Sequence, residues 1–97
     1  DYRGQGHEPD WTLEISGSEM IFVNDQGQNR YSFLIEEHQV EGESRNVVYT
    51  ASDPTNKIST RILGKTCSDN MSGELLETGV EIILNGQLYR GCGQGLH

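Results

Sequence analysis

Short segments in which apolar and polar residues alternate run through most of this chain. In WTLEI, the apolar residues Trp11, Leu13 and Ile15 fall on one face of an extended strand. Thr12 and Glu14 fall on the opposite face. This period of two is typical of a strand with one buried face. The same pattern recurs in RYSFLIEE and in ISTRIL.

The segment TGVEIILNGQLYRG predicts a tight β-hairpin. Asn85-Gly86 stands between two strand-like runs, and this dipeptide favours a two-residue type I′ turn because both positions need positive φ. Such a turn sets the register, so that Ile82 lies opposite Tyr89. On the same count, Cys92 falls opposite Gly79.

No segment shows a helical period over more than two turns. Several strands separated by turn signals indicate an all-β fold, a small antiparallel β-barrel or sandwich of about seven to eight strands. We expect a single β domain over residues 1–97. Residues 1–10 are expected to form a loose amino-terminal lead, and residues 93–97 a flexible tail.

Composition and charge narrow the classes of partner. Apolar residues make up 33% of the 97 residues, and the formal net charge is −8. An acidic chain repels phosphate backbones and anionic membrane surfaces, so nucleic-acid binding is not expected. The same charge would attract a basic protein or a cation. No apolar run is long enough to span a bilayer, and a lipid anchor on a precursor stays possible.

The chain has two cysteines, Cys67 and Cys92. An even number in a small glycine-rich domain indicates a disulfide, and hence an oxidising compartment such as the periplasm or the cell exterior. The alternative is a pair of buried free thiols in a reducing compartment.

Motifs for catalysis, metals and cofactors are incomplete. GKT at Gly64–Thr66 lacks the earlier glycine of a phosphate loop, and GCGQG at Gly91–Gly95 lacks a βαβ setting. His7, Glu8 and Asp10 are metal-ligating residue types, but GHEPDW has too few ligands for a zinc site. The sequence therefore predicts no catalytic residue, no metal site and no cofactor.

Three residues are the candidate ligand-binding positions. Trp11 opens the first alternating segment and serves either as a core anchor or as a lid. Asp69 and Ser72 lie in TCSDNMSGE, beside Cys67, where polar side chains can face a ligand or cap turns. Met71 of the same loop is expected to plug into the core.

The chain resembles a family of small bacterial secreted or lipoprotein domains of uncharacterised function. The resemblance rests on GHEPDWTLEI, on CSDNMS and on LYRGC, and so spans nearly the whole chain. Asp10 stands where many members have an aromatic residue. Such domains occur near inhibitors of c-type lysozyme, which are small disulfide-containing β-barrels. The resemblance implies a protein of the cell envelope.

Three functions follow as hypotheses from different classes. The first is a non-enzymatic envelope domain that binds a protein or a small envelope ligand. The second is an inhibitor of a basic cell-wall hydrolase such as lysozyme, which the acidic charge favours. The third is a small hydrolase that uses an acid from the cysteine loop.

Overall fold

The computed structural model describes residues 1–7, 10–24, 27–69 and 73–95. Eleven strands occupy most of this part of the chain. Their bounds are β1 (Tyr2–Gly6), β2 (Trp11–Ser16), β3 (Glu19–Asn24), β4 (Asn29–Leu34), β5 (Glu37–Glu41), β6 (Asn46–Ser52), β7 (Lys57–Leu63), β8 (Cys67–Ser68), β9 (Leu75–Leu76), β10 (Thr78–Leu84) and β11 (Gln87–Gly95). A turn of 3-10 helix covers Gly42–Ser44. In the described ranges no helix has the length and apolar character needed to cross a membrane.

The predicted all-β antiparallel class is confirmed. Nine strands form one curled sheet in the order β4-β3-β2-β1-β11-β10-β7-β6-β5, and β8 and β9 form a separate two-stranded sheet. Every pairing between these strands is antiparallel. The sheet has the shape of a half-barrel. The eleven strands exceed the expected seven to eight. The additional strands come from segments that the sequence analysis interprets as a lead and as loops.

The two edge strands of the large sheet are joined by only two residues. β4 ends at Leu34 and β5 begins at Glu37, and three trans peptide units span at most roughly 11 Å. The amide of Ile35 donates to Ser18 O (2.7 Å), just before β3, near one end of the strand order. The next amide, that of Glu36, donates to Thr50 O (2.9 Å) in β6, near the other end. The sheet must therefore curl until its edges approach.

The inward side chains of the curled sheet form one core. Contacts cross its interior, because Thr60 Oγ1 on β7 donates to Met20 Sδ on β3 (3.1 Å). Phe22 meets the edge of Tyr89 with ring centroids 5.0 Å apart. The buried members are Tyr2, Trp11, Leu13, Ile15, Met20, Phe22, Phe33, Ala51, Ile58, Val80, Ile82, Leu84 and Tyr89.

The predicted hairpin and its register are confirmed. Asn85 and Gly86 have φ of 50° and 87°, as a type I′ turn requires. Ile82 pairs with Tyr89, and Gly79 pairs with Cys92. The local sequence is sufficient to predict the strand register because a two-residue turn allows only one register.

The expectation of a loose lead over residues 1–10 was wrong for residues 2–6. Tyr2–Gly6 form β1, which pairs with β2 on one side and β11 on the other. Tyr2 anchors this strand, because its hydroxyl lies 2.7 Å from Thr78 Oγ1 and its ring is buried. Burial raises the pKa of the Tyr2 hydroxyl. A central strand therefore begins at the second residue.

The expectation of a flexible tail over residues 93–97 was also wrong for its described part, because β11 continues to Gly95. Glycine is needed at two inward positions of this strand. A Cβ at Gly93 would overlap the Tyr2 hydroxyl, and a Cβ at Gly91 would lie 2.8 Å from Trp11 Cζ2. Aromatic rings therefore cover the glycines. The pairing of β1 with β11 keeps the glycine-rich end of β11 extended although its residues have low strand propensity.

We expect Gly91→Ala to lower the free energy of unfolding by about 1–3 kcal/mol, because the added methyl overlaps the backbone of Gln5 and the Trp11 ring. Gly4→Ala on the neighbouring strand is the control. Its Cβ would meet Val80 Cγ1 at 3.4 Å, an ordinary contact, so a change within about 0.5 kcal/mol is expected. Urea unfolding of both variants measures the difference, and equal effects would contradict the packing described here.

Candidate functional site

The hairpin formed by β8 and β9 lies on the outer face of the large sheet. Tyr89 and Gly91 of β11 face inward, so the alternation of side chains directs Cys92 outward. Cys92 is nevertheless buried, because the hairpin covers it. The predicted disulfide between Cys67 and Cys92 is confirmed, with Cα atoms 5.5 Å apart and a sequence separation of 25. The bridge ties the hairpin to the sheet.

Asp69 directly follows β8 in the connection of this hairpin and is buried, with 5% of its surface exposed. Its Oδ2 accepts a 3.0 Å hydrogen bond from Gln5 Nε2. Its Oδ1 lies 3.1 Å from His7 Nε2, a nitrogen that is shielded from solvent. The backbone of Asp69 is also held, because its N–H donates to Glu74 O (2.8 Å) and its C=O accepts from Gly73 N (2.7 Å). The loop and its carboxylate are thus in a defined position.

The Asp69 carboxylate sets the orientation of the Gln5 amide. An ionised carboxylate only accepts hydrogen bonds, so the Gln5 atom that faces it is the amide nitrogen. His7 Nε2 lies 3.1 Å from the same carboxylate, in a contact that lacks the angle of a hydrogen bond.

Gln5 and His7 line a groove of about 420 Å³, a volume within the roughly 300–1,000 Å³ typical of small-molecule sites. We name it the β1–β3 groove. Its floor is the cross-strand row Gln5, Thr12 and Val23 on the outer face. His7 and Asp10 form its rim, with His7 Nδ1 3.6 Å from Asp10 Oδ1. The full lining is Gln5, Gly6, His7, Asp10, Trp11, Thr12, Val23 and Gly27.

The structure places the candidate ligand-binding residues at different depths. Trp11 belongs to the lining of the β1–β3 groove but is 3% exposed, which matches a core anchor. Its ring packs at 5.8 Å from Phe22. Asp69 stands behind Gln5 and His7 rather than at the surface of the groove. Ser72 lies outside the described residues, as does Met71.

From the sequence, His7 and Asp10 are candidates only as metal-ligating residues, and Gln5 is not a candidate. No group of three or more histidine, cysteine, aspartate or glutamate side chains in the described ranges is placed to hold a metal ion. Gln5 gives no local signal, because its partner Asp69 is 64 residues away. Among the candidates from the sequence, Trp11, His7 and Asp10 lie in this lining.

A second, larger concavity of about 640 Å³ lies at the turn between β6 and β7. Two of its polar side chains cap turns of the protein itself. Asp53 Oδ1 accepts from the amides of Thr55 (2.9 Å) and Asn56 (2.8 Å), and hydrogen bonding from the Thr55 amide lowers the pKa of Asp53. Asn85 Oδ1 accepts from Lys57 N (2.9 Å). We prefer the β1–β3 groove as the candidate site because its wall contacts the buried carboxylate of Asp69.

Comparisons of the chain with protein-family models, with curated proteins and with solved structures found no match in any of the three. The function is therefore inferred from the residues and their geometry.

We expect Asp69→Ala to lower the free energy of unfolding by about 2 kcal/mol, because it removes the acceptor that faces Gln5 and the buried His7 nitrogen. Denaturant unfolding measures the loss. Glu77→Ala, which removes an exposed acid at the end of the same hairpin connection, controls for the change in charge. If both variants lost the same stability, the buried contacts of Asp69 would not be the cause.

Proposed function

We propose that this protein is a non-enzymatic binding domain of the bacterial cell envelope, secreted or anchored by a lipid, with the β1–β3 groove as its ligand site. One observation carries the proposal. The disulfide-tethered hairpin buries Asp69 against Gln5 and His7, which gives the groove a polar wall of fixed orientation. A preformed site loses less conformational entropy when a ligand binds.

The role of Asp69 favours binding over hydrolysis. A catalytic acid has to reach the substrate, whereas this carboxylate is 5% exposed and faces two side chains of its own protein. Its position suits a residue that orients Gln5 and His7. The hydrolase hypothesis stays a prediction without a supporting contact.

The disulfide supports the choice of compartment. Both cysteines are in the bridge and none is free, and closing a loop with 25 residues of separation adds about 3–4 kcal/mol in the chain-entropy model. A small domain with a modest core depends on such a contribution. An oxidising compartment is where this bond persists.

A screen of small polar fragments, with cationic, neutral and anionic members, tests the binding site by two-dimensional NMR. We expect the binding fragments to shift the amide signals of Gln5, Thr12 and Val23. Thr12→Tyr fills the floor of the groove and is expected to remove these shifts. Ser16→Tyr places the same ring on the same outer face of β2, outside the groove lining, and should leave them unchanged.

The β1–β3 groove would be rejected as the binding site by either of two results. One is that no fragment binds. The other is that the fragments map to the larger concavity at the turn between β6 and β7, with Thr12→Tyr and Ser16→Tyr behaving alike.

A second candidate function is inhibition of a basic cell-wall hydrolase. The net charge of −8 supports it, because opposite charge accelerates association with a basic protein. Asp10, at the rim of the groove and 57% exposed, is positioned to meet a basic side chain.

We expect micromolar protein to reduce the activity of a c-type lysozyme at low salt, with the effect weakening as salt is raised. Asp10→Asn should weaken the inhibition, while Glu43→Gln removes an exposed acid next to β5, at the far edge of the sheet, and should not. Undiminished lysozyme activity at low salt would remove this candidate.

A further inference from the structure

The strand β5 forms one edge of the large sheet. In the described part of the chain it pairs only with β6. The preceding strand, β4, forms the other edge, and the amides of Ile35 and Glu36 between them donate to Ser18 O and Thr50 O. Alternate residues of an edge strand direct their backbone N–H and C=O groups away from the sheet. Another extended chain is the partner whose spacing matches such a row of groups.

The side chains of β5 add little to the core. Among the residues that the structure describes, β5 is the one strand of the large sheet without a buried side chain. Its first four residues are exposed, and Glu41 at its end is half-buried. Core packing therefore does not account for this strand.

An apolar row on the inner face of the sheet ends at β5. Val40 pairs with Val47, Val47 pairs with Ile62, and Ile62 pairs with the buried Val80. Directly paired residues face the same side of a sheet, so the row leads from the core to the edge. Val47 and Ile62 are half-buried, whereas Val40 is 62% exposed. A further strand with an apolar side chain beside Val40 would continue this row and remove its surface from water.

The charge of this edge selects the kind of strand. Residues 36–41 contain three glutamates and neither lysine nor arginine. Side chains alternate along a strand, so Glu37 and Glu41 lie on the face opposite Val40. Lysine and proline commonly protect strand edges from pairing, and β5 has neither. The edge therefore attracts a basic segment and repels an acidic one.

A second copy of β5 fits this edge poorly. If two β5 strands paired antiparallel about Gln39, Glu37 of each would lie opposite Glu41 of the other. Like charges directly opposite each other destabilise a strand pair. A basic partner avoids this repulsion.

We propose that β5 binds an extended segment of a basic partner protein, which adds to the sheet as a further strand. The segment alternates apolar residues, which lie beside Val40 on the inner face, with lysine or arginine, which lies beside Glu37 on the outer face. Backbone hydrogen bonds hold the segment extended, and the alternating side chains give specificity. This edge is separate from the β1–β3 groove, and the proposal does not rest on the function of that groove.

The test titrates the intact protein with capped peptides at low salt, followed by NMR. We expect Lys-Val-Lys-Val-Lys to shift the amides of Glu37–Glu41 and to slow hydrogen exchange at the β5 amides that point away from β6. Glu-Val-Glu-Val-Glu has the same apolar residues and the opposite charge. It should bind at least about tenfold more weakly, a difference of about 1.4 kcal/mol.

A lysine-valine peptide with methylated backbone amides tests the strand geometry. It keeps the charges and side chains but has lost its backbone donors, so it should also bind about tenfold more weakly. Equal affinity of the methylated and unmethylated peptides would overturn strand addition. Equal affinity of the lysine and glutamate peptides would overturn the basic partner.

Two matched pairs of variants separate the side-chain contributions. Val40→Thr keeps a β-branched residue and should weaken lysine-valine binding about threefold, because it removes apolar contact. Ile83→Thr changes a 48% exposed residue of β10 and should not. Glu37→Gln should weaken binding about two- to threefold, as for an exposed ion pair, whereas Glu14→Gln, at an exposed position of β2, should not.

Equal effects within both matched pairs would overturn the assignment to β5, as would peptide shifts confined to β4. Sedimentation of the protein alone is expected to show a monomer. A dimer with slowed exchange at β5 would make a second copy the occupant of this edge and would overturn the proposal.

Discussion

A two-residue connection between the two edges of a nine-stranded sheet is the constraint on which this structure depends. The amides of Ile35 and Glu36 donate to Ser18 O and Thr50 O, which lie near opposite ends of the strand order. A flat sheet of this width would separate its edges by roughly 38 Å at the usual strand spacing, which two residues cannot span. Curling brings the edges together, and the enclosed space becomes the core that a short chain with few apolar residues needs.

The curled sheet narrows its interior where β1, β2 and β11 meet, and glycine is the residue that fits there. Trp11 and Tyr2 lie over Gly91 and Gly93, at distances that leave no room for a Cβ. The large rings supply apolar contact that the glycines lack, and the glycines let the rings lie close to the strand backbone. On the outer face of the same strands, Gln5 of β1 pairs with Cys92 of β11, and these two residues contact the disulfide-linked hairpin.

The hairpin connects the disulfide to the wall of the proposed binding groove. Cys67 and Cys92 hold the hairpin, the hairpin buries Asp69, and Asp69 orients Gln5 and His7 at the wall of the β1–β3 groove. A buried carboxylate is stable only with donors around it, and one such donor, Gln5, also lines the groove. Stability and the chemistry of the groove therefore depend on the same contacts.

The sequence by itself determined the strands with alternating residues, the type I′ turn at Asn85-Gly86 with its register, and the disulfide. These features depend on local side-chain periodicity, on positive φ at two neighbouring residues, and on a cysteine count that leaves one pairing. Tertiary structure decided that Tyr2–Gly6 and the glycine-rich end of β11 are strands, because pairing and aromatic cover hold residues of low strand propensity. It also decided the position of Asp69 against Gln5 and His7. Asp69 and Gln5 are 64 positions apart in the sequence. Only the path of the folded chain brings such residues together.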